Sequence, residues 1–110
     1  MKIAEIIETI EKFAPIPYQE PYDNSGLIIG DRMAICTGVL LCIDTIEAVV
    51  EEAIAKKCNL IVAHHPIIFS GLKQITGKNY IERVVLKAIK NDIAIYACHT
   101  NLDNVQLGVN

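Results

Sequence analysis

The spacing of hydrophobic residues at the start of the chain predicts an amphipathic helix. Isoleucines occur at positions 3, 6, 7 and 10 within residues 2–13, which is the spacing that places side chains on one helical face. Pro15 and Pro17 follow, and proline ends a helix because it lacks the backbone N–H and clashes with the preceding turn. We therefore expect one helix, followed by an irregular loop over residues 16–25.

Further along the chain, short apolar runs alternate with helical patterns. Four apolar runs have the length and composition of strands: residues 27–29, 39–43, 60–63 and 93–97. Helical spacing appears after the second run, up to residue 57, and again over residues 80–90. This alternation is typical of parallel strands joined by right-handed crossovers. The expected fold is α/β, a mostly parallel sheet flanked by helices, with residues 1–110 as a single domain or the N-terminal lobe of a longer protein.

The second apolar run and the helix after it lead to more specific expectations. Residues 39–43 are all apolar, as in a strand buried on both faces. Asp44 and Thr45 offer N-cap oxygens, and Glu47 stands three residues after Asp44 in capping-box spacing. The predicted buried stripe of this helix consists of Ile46, Val49, Val50, Ala53 and Ile54.

Histidines and aspartates follow directly after the predicted strands. His64 and His65 end the third strand, before Pro66, and His99 and Asp103 follow the last one. Open α/β sheets bind their ligands at the carboxyl ends of the strands, and imidazole and carboxylate are the usual ligands of first-row divalent metals. The sequence therefore predicts a metal site, with His64, His65 and Asp103 as its ligands.

Several of these residues have a second interpretation. Neighbouring residues of a strand point to opposite sides, so His64 and His65 share a site only if this alternation relaxes where Pro66 ends the strand. Each ring is then able to bind one ion of a dinuclear centre. A histidine pair at a strand end is otherwise a hydrogen-bonded feature without metal. His99 suits a metal ligand, a residue that orients a ligand, a general base or a hydrogen-bonded cap, and we favour a supporting role. For Asp44 we favour the N-cap. Asp23 and Asn24 suit a turn.

Composition restricts the class of protein. The formal net charge is −3, and the ten basic residues are scattered, which argues against direct nucleic-acid binding through phosphates. No signal peptide or membrane span is evident, and the four cysteines form no C-x-x-C pair. We expect a cytoplasmic protein with no membrane partner. A hydrophobic fraction of 52% is high for so small a domain and indicates oligomerisation or a missing partner domain.

Three stretches carry a resemblance to a known family. They are Tyr22-Asp23-Asn24-Ser25-Gly26-Leu27, the stretch from Leu60 through His64-His65-Pro66 to Phe69, and Tyr96-Ala97-Cys98-His99-Thr100-Asn101-Leu102-Asp103. In order and spacing they resemble the NGG-interacting-factor-three-like proteins, often labelled type-two GTP cyclohydrolase I homologues. Tyr22 stands where the family usually has tryptophan.

The resemblance implies an α/β fold of two related halves, a ring-shaped homohexamer, and dinuclear centres that face its interior. It implies that His64 binds one of two divalent metal ions per subunit and that His65 and Asp103 bind the other, with Zn, Fe, Mn, Ni and Co all compatible. The family completes its centre with a His and a Glu from a C-terminal segment, and these 110 residues do not contain that segment. We therefore expect the N-terminal part of a longer protein, inactive by itself.

The leading functional hypothesis is a metal-dependent hydrolase that acts on a purine nucleotide such as GTP, in which metal-activated water attacks an electrophilic carbon. Lys73 or Lys78 would then approach the phosphates, although both also suit a solvated loop. The alternative is a metal-binding scaffold or regulatory interaction protein without turnover. A metal-free structural domain is the third hypothesis.

Overall fold

The computed structural model describes residues 1–16, 24–68 and 71–99. The described elements are, in chain order, α1 (Ile3–Phe13), β1 (Gly26–Ile29), β2 (Val39–Cys42), α2 (Glu47–Ala55), β3 (Leu60–Ala63), α3 (Tyr80–Lys90) and β4 (Ala94–Ala97). The periodicity of the sequence predicted all seven, with boundaries that differ by one or two residues. No described helix has the length and apolar character that crossing a membrane requires.

The four strands form one sheet in the order β1-β4-β3-β2. The strands β2, β3 and β4 are parallel, which confirms the α/β fold. The sheet is nevertheless mixed, because β1 pairs with β4 in the antiparallel sense. A short apolar run carries no information about strand direction, and the helix–strand alternation that implies parallel pairing begins only after β2.

Helices cover both faces of the sheet. On one face, α2 and α3 pack against side chains such as Ile61 and Ile95. On the other face, α1 packs through Ile3 and Ile7 against alternate strand residues, including Leu60, Ala94 and Tyr96. Tyr96 is completely buried, and its hydroxyl donates a hydrogen bond of 2.9 Å to the Glu11 carboxylate of α1. Burial, together with this bond, raises the pKa of Tyr96.

The expectation that residues 39–43 are buried on both faces is wrong. The strand β2 lies at the edge of the sheet, and none of its residues belongs to the cluster in which α1 packs. Leu41 is therefore 74% exposed and Ile43 62% exposed, and Val39 is exposed on the same side. An apolar run in the sequence indicates a strand that is suited to burial, but it does not show which element packs against each of its faces.

The predicted details of α2 are also partly wrong. The helix begins at Glu47 after Ile46, and no side chain caps it, so neither Asp44 nor Thr45 acts as the N-cap. Of the predicted stripe, Val50 and Ala53 are buried, whereas Ile46 and Ile54 are exposed. The helix lies beside the edge strand β2 and contacts α3, so only a narrow part of its surface reaches the core.

A buried carboxylate fixes the segment that leads into α3. Glu82 is only 7% exposed, and its Oε1 accepts hydrogen bonds from the backbone N–H groups of Thr76, Gly77 and Lys78 at 2.9, 3.1 and 3.2 Å. The Asn79 side chain accepts from the Glu82 backbone N–H and thereby caps the helix. The backbone donors lower the pKa of Glu82, because they stabilise the charged form.

Replacing Glu82 with glutamine is expected to lower the melting temperature at pH 7, because the neutral amide accepts more weakly from the three N–H groups. A carboxyl with a lowered pKa stabilises the fold above its unfolded pKa of about 4.3 and loses that effect as the pH falls through its folded value. The difference between wild type and Glu82→Gln should therefore shrink below about pH 4.

Thermal melts across this pH range measure the effect. The control is Glu52→Gln, since Glu52 pairs with Lys56 at the surface and such pairs contribute little. Equal melting-temperature losses for Glu82→Gln at pH 7 and pH 3 would contradict the assigned role.

Candidate metal centre

His64, His65 and His99 meet at one edge of the sheet because the strands that precede them are parallel. The chain passes from β3 into His64 and His65, and from β4 into Cys98 and His99. The backbone N–H groups of His64 and His65 still bond to the carbonyls of Cys42 and Ile43, at 3.1 and 2.9 Å. The ends of β2, β3 and β4 thus remain side by side where the histidines begin.

Three imidazole rings converge at this edge. The ring centroids of His64 and His65 are 5.1 Å apart, and His99 lies 5.2 and 5.3 Å from them. One candidate ligand atom from each ring lies within 4.8 Å of the other two. The strand alternation does relax at the end of β3, as predicted, since both neighbouring rings reach the same place. Asp103, the third predicted ligand, lies outside the described residues, and so does Asp23.

The His64 ring is fixed by a backbone carbonyl. Its Nδ1 lies 2.8 Å from the carbonyl oxygen of Cys98. A carbonyl oxygen is only an acceptor, so Nδ1 carries the hydrogen and the lone pair of the neutral ring lies on Nε2. The Cys98 backbone N–H bonds in turn to the Ala63 carbonyl at 2.9 Å. Two adjacent strand ends therefore fix the orientation of one ring.

The His65 ring is fixed by a carboxylate. Its Nδ1 lies 2.6 Å from Oδ1 of Asp44, at the end of the neighbouring strand β2. The N-cap role expected for Asp44 is wrong, because its side chain faces this ring and α2 begins further on. A carboxylate that accepts from Nδ1 orients the ring and makes Nε2 more basic. Asp44 directly follows the predicted strand over residues 39–43, and this position at a strand's carboxyl end was the available signal for its role.

These residues fit a divalent metal ion. Metal-to-nitrogen bonds of about 2.0–2.1 Å separate the ligand atoms of a tetrahedral site by roughly 3.3 Å, so a small inward movement of the rings is sufficient. The oxygen partners of His64 and His65 supply the outer hydrogen bonds that metal-binding histidines usually make. Both His65 and Asp44 are partly open to solvent, with side chains 47% and 64% exposed, so water has access.

Other candidate residues contribute less to this site. Burial raises the pKa of the Cys42 thiol and thereby disfavours the thiolate that binds metals. Lys73 and Lys78 are exposed, and the Lys78 ammonium donates to the Gln74 amide oxygen at 3.2 Å.

The loop before β1 contributes two residues that the turn interpretation missed. Asn24 Nδ2 donates a hydrogen bond of 2.5 Å to the carbonyl of Ile68. The backbone N–H of His99 donates to Oγ of Ser25 at 3.2 Å. Because β1 is antiparallel to β4, with Gly26 opposite Ala97, the amino end of β1 lies at the same edge as the histidines.

Comparison with known proteins identifies the family. The family model described as Duf34/NIF3 (NGG1p interacting factor 3) matches residues 1–110. The chain belongs to this family. The resemblance carried by the three motifs is thereby confirmed.

Two curated relatives carry the name GTP cyclohydrolase 1 type 2 homolog. The chain is 41% identical to the one from Clostridium acetobutylicum over 110 residues, which are 100% of this chain and 41% of that protein. It is 43% identical to the one from Bacillus subtilis over 106 residues, which are 96% of this chain and 28% of that protein. The chain therefore spans less than half the length of these Duf34/NIF3 proteins.

Solved structures confirm the fold. A hypothetical protein of Staphylococcus aureus superimposes with a TM-score of 0.96 at 42% identity, over 100% of this chain and 31% of that chain. A Bacillus cereus protein related to NIF3 gives a TM-score of 0.95 at 43% identity and 30% coverage of that chain, all of this one being covered. Reduced HcgD from Methanocaldococcus jannaschii gives 0.90 at 33% identity, over 98% of this chain and 43% of that chain.

Proposed function

We propose that the whole protein is a divalent-metal-dependent hydrolase that acts on a purine nucleotide such as GTP, with two metal ions per subunit. The observation that carries this proposal is the convergence of three imidazole rings at one sheet edge, two of them oriented by oxygen acceptors. The curated relatives named GTP cyclohydrolase 1 type 2 homolog support the choice of substrate class.

The proposed roles follow from the contacts of each side chain. His64 and His65 hold the metals through Nε2, because Nδ1 of each ring is bonded to an oxygen. Asp103 is the third ligand proposed from this chain, and further ligands come from outside these residues. A divalent metal at such a site lowers the pKa of water and polarises the bond under attack. The exposed sides of His65 and Asp44 leave room for substrate to approach.

The experiment that tests this function uses the whole protein loaded with Zn²⁺, Mn²⁺ or Fe²⁺ and incubated with GTP and other purine nucleotides. Metal-dependent release of a hydrolysis product is the expected result. Bound metal without turnover of any nucleotide would support a metal-binding scaffold instead. Absence of stoichiometric metal would favour a structural domain.

We also propose that the protein is a homo-oligomer, a hexamer by family resemblance. In this assembly, β2 of a second copy pairs with the outer edge of β2. Within the described residues, no strand pairs with the outer edge of β2. Natural edge strands are usually protected by charge or proline, yet residues 39–43 contain neither. Antiparallel pairing of β2 with its copy about a two-fold axis would bring apolar side chains together without charge repulsion.

Replacing Leu41 with lysine is expected to shift the protein to a smaller species, because the two-fold arrangement would bring the new charges close to each other. Size-exclusion chromatography with light scattering measures the mass. Ile89→Lys is the matched control, since Ile89 is also exposed but lies on α3. An unchanged mass for Leu41→Lys would contradict this interface.

A cytoplasmic location is part of the proposal. All four cysteines are free thiols, as is usual in a reducing compartment.

A further inference from the structure

Asn24 and Ser25, directly before β1, connect the two chain segments that carry the histidines. Asn24 bonds to the carbonyl of Ile68, three residues beyond His65 in the segment that leaves β3. Ser25, the next residue, accepts from the backbone N–H of His99 in the segment that leaves β4. Consecutive residues of one loop therefore reach both segments.

The position of this loop is fixed by the sheet. Gly26 pairs with Ala97 at the last residue of β4, and its φ of 113° is a backbone conformation that L side chains rarely adopt. Asn24 and Ser25 are both half-buried. Because β1 is the antiparallel strand, it is the strand whose amino end lies at the histidine edge.

From these contacts we infer that Asn24 and Ser25 are positioning residues of the histidine cluster. The pair sets the distance of His99 from His64 and His65, and neither residue need touch the metal itself. This inference rests on the proposed metal site for its functional meaning, but the ring geometry that it predicts exists without metal. Asn24 and Ser25 then have a role beyond that of a turn.

The first measurement uses metal-free protein. Centroid distances of 5.2 and 5.3 Å between His99 and the other two rings place ring protons near enough for nuclear Overhauser effects in wild type. Ser25→Ala removes the acceptor of the His99 N–H and should weaken these cross-peaks, whereas Ser25→Thr keeps a hydroxyl and should restore them. Unchanged cross-peaks in Ser25→Ala would overturn the inference.

The second measurement is Co²⁺ binding. Titration gives the affinity, and the visible absorption spectrum of the bound ion reports its coordination. Asn24→Ala and Ser25→Ala are expected to weaken binding about tenfold, the low end of the effect of a direct hydrogen-bond partner of a metal ligand, because they act through the backbone beside the histidines. The absorption spectrum is expected to change as well. Wild-type affinity and spectrum in both variants would overturn the inference. If Asn24→Ala fails to fold, Ser25→Ala, which removes only one hydroxyl group, carries the test.

Asn59 provides a matched control for Asn24. Its Nδ2 donates to the Ile35 carbonyl at 2.8 Å and its Oδ1 accepts from the Thr37 N–H at 2.9 Å, next to the amino end of β3. Asn59→Ala should lower the melting temperature and leave Co²⁺ affinity unchanged. An equal loss of affinity in Asn59→Ala would show that the effect of Asn24 is general destabilisation. Failure of wild type to bind Co²⁺ would reject the metal site, and the cross-peaks would still decide the positioning role.

Discussion

Replacing His65 with alanine is expected to lower the affinity for Zn²⁺ or Co²⁺ by more than the roughly 10- to 100-fold typical of an outer hydrogen-bond partner. The substitution removes the ring that Asp44 orients at a distance of 2.6 Å, and with it one nitrogen ligand of the proposed centre. Titration by calorimetry or against a chelating dye measures the affinity, and elemental analysis of the purified protein measures the stoichiometry.

Asp44→Asn tests the contribution of the carboxylate that orients His65 and leaves the His65 ring itself in place. The amide keeps the shape but loses the charge that makes the ring more basic, so about tenfold weaker binding is expected. Glu51→Gln is the matched control, because Asp44 and Glu51 are both 64% exposed and Glu51 instead pairs with Lys87 on α3. Wild-type affinity in His65→Ala would contradict the assignment of His65 as a ligand, whereas absence of stoichiometric metal in the wild-type protein would favour the metal-free structural domain.

His99→Ala tests whether His99 is a metal ligand or has the supporting role favoured from the sequence. A loss of affinity as large as that of His65→Ala identifies a ligand, whereas a loss of about tenfold identifies the supporting role that the sequence favours. The structure places the His99 ring beside the other two, and both roles need that position.

The fold was largely predictable because local periodicity and burial agree in most elements. The strands β3 and β4 are apolar and buried on both faces, and α3 places Val84, Val85 and Ala88 in the core, as its spacing predicts. The failures occur at the edges. The direction of β1 and the exposure of β2 depend on which strands pair with them in the sheet. The residue pattern within one strand does not show its pairing partners.

The site was predictable only where topology determines position. Parallel strands bring His64, His65 and His99 to one edge, and this follows from the order of elements alone. The pairing of Asp44 with His65 was missed because the sequence around Asp44 also matches a helix N-cap, and we favoured that interpretation. The cap does not form. The contacts of Asn24 and Ser25 were missed for a related reason: they depend on β1 being antiparallel.

Replacing Gly30 with alanine is expected to destabilise the fold by on the order of 3 kcal/mol. Gly30 follows β1 with a φ of 114°, and a Cβ atom there would lie 2.5 Å from Cβ and 2.7 Å from Cα of Ala94. Ala94 is the buried first residue of β4, so its backbone cannot move away without disturbing the centre of the sheet. Strain at φ and overpacking therefore add, each at roughly 1–3 kcal/mol.

Urea unfolding curves of the two proteins measure this difference. Gly71→Ala is the matched control, because no described atom lies within 4 Å of a Cβ at Gly71, and its effect should stay within about 0.5 kcal/mol. Equal midpoints for Gly30→Ala and wild type would contradict the close packing of β1 on β4. Since that packing also places Asn24 and Ser25 at the histidine edge, Gly30→Ala protein that remains folded should bind Co²⁺ more weakly, whereas Gly71→Ala should bind it like wild type.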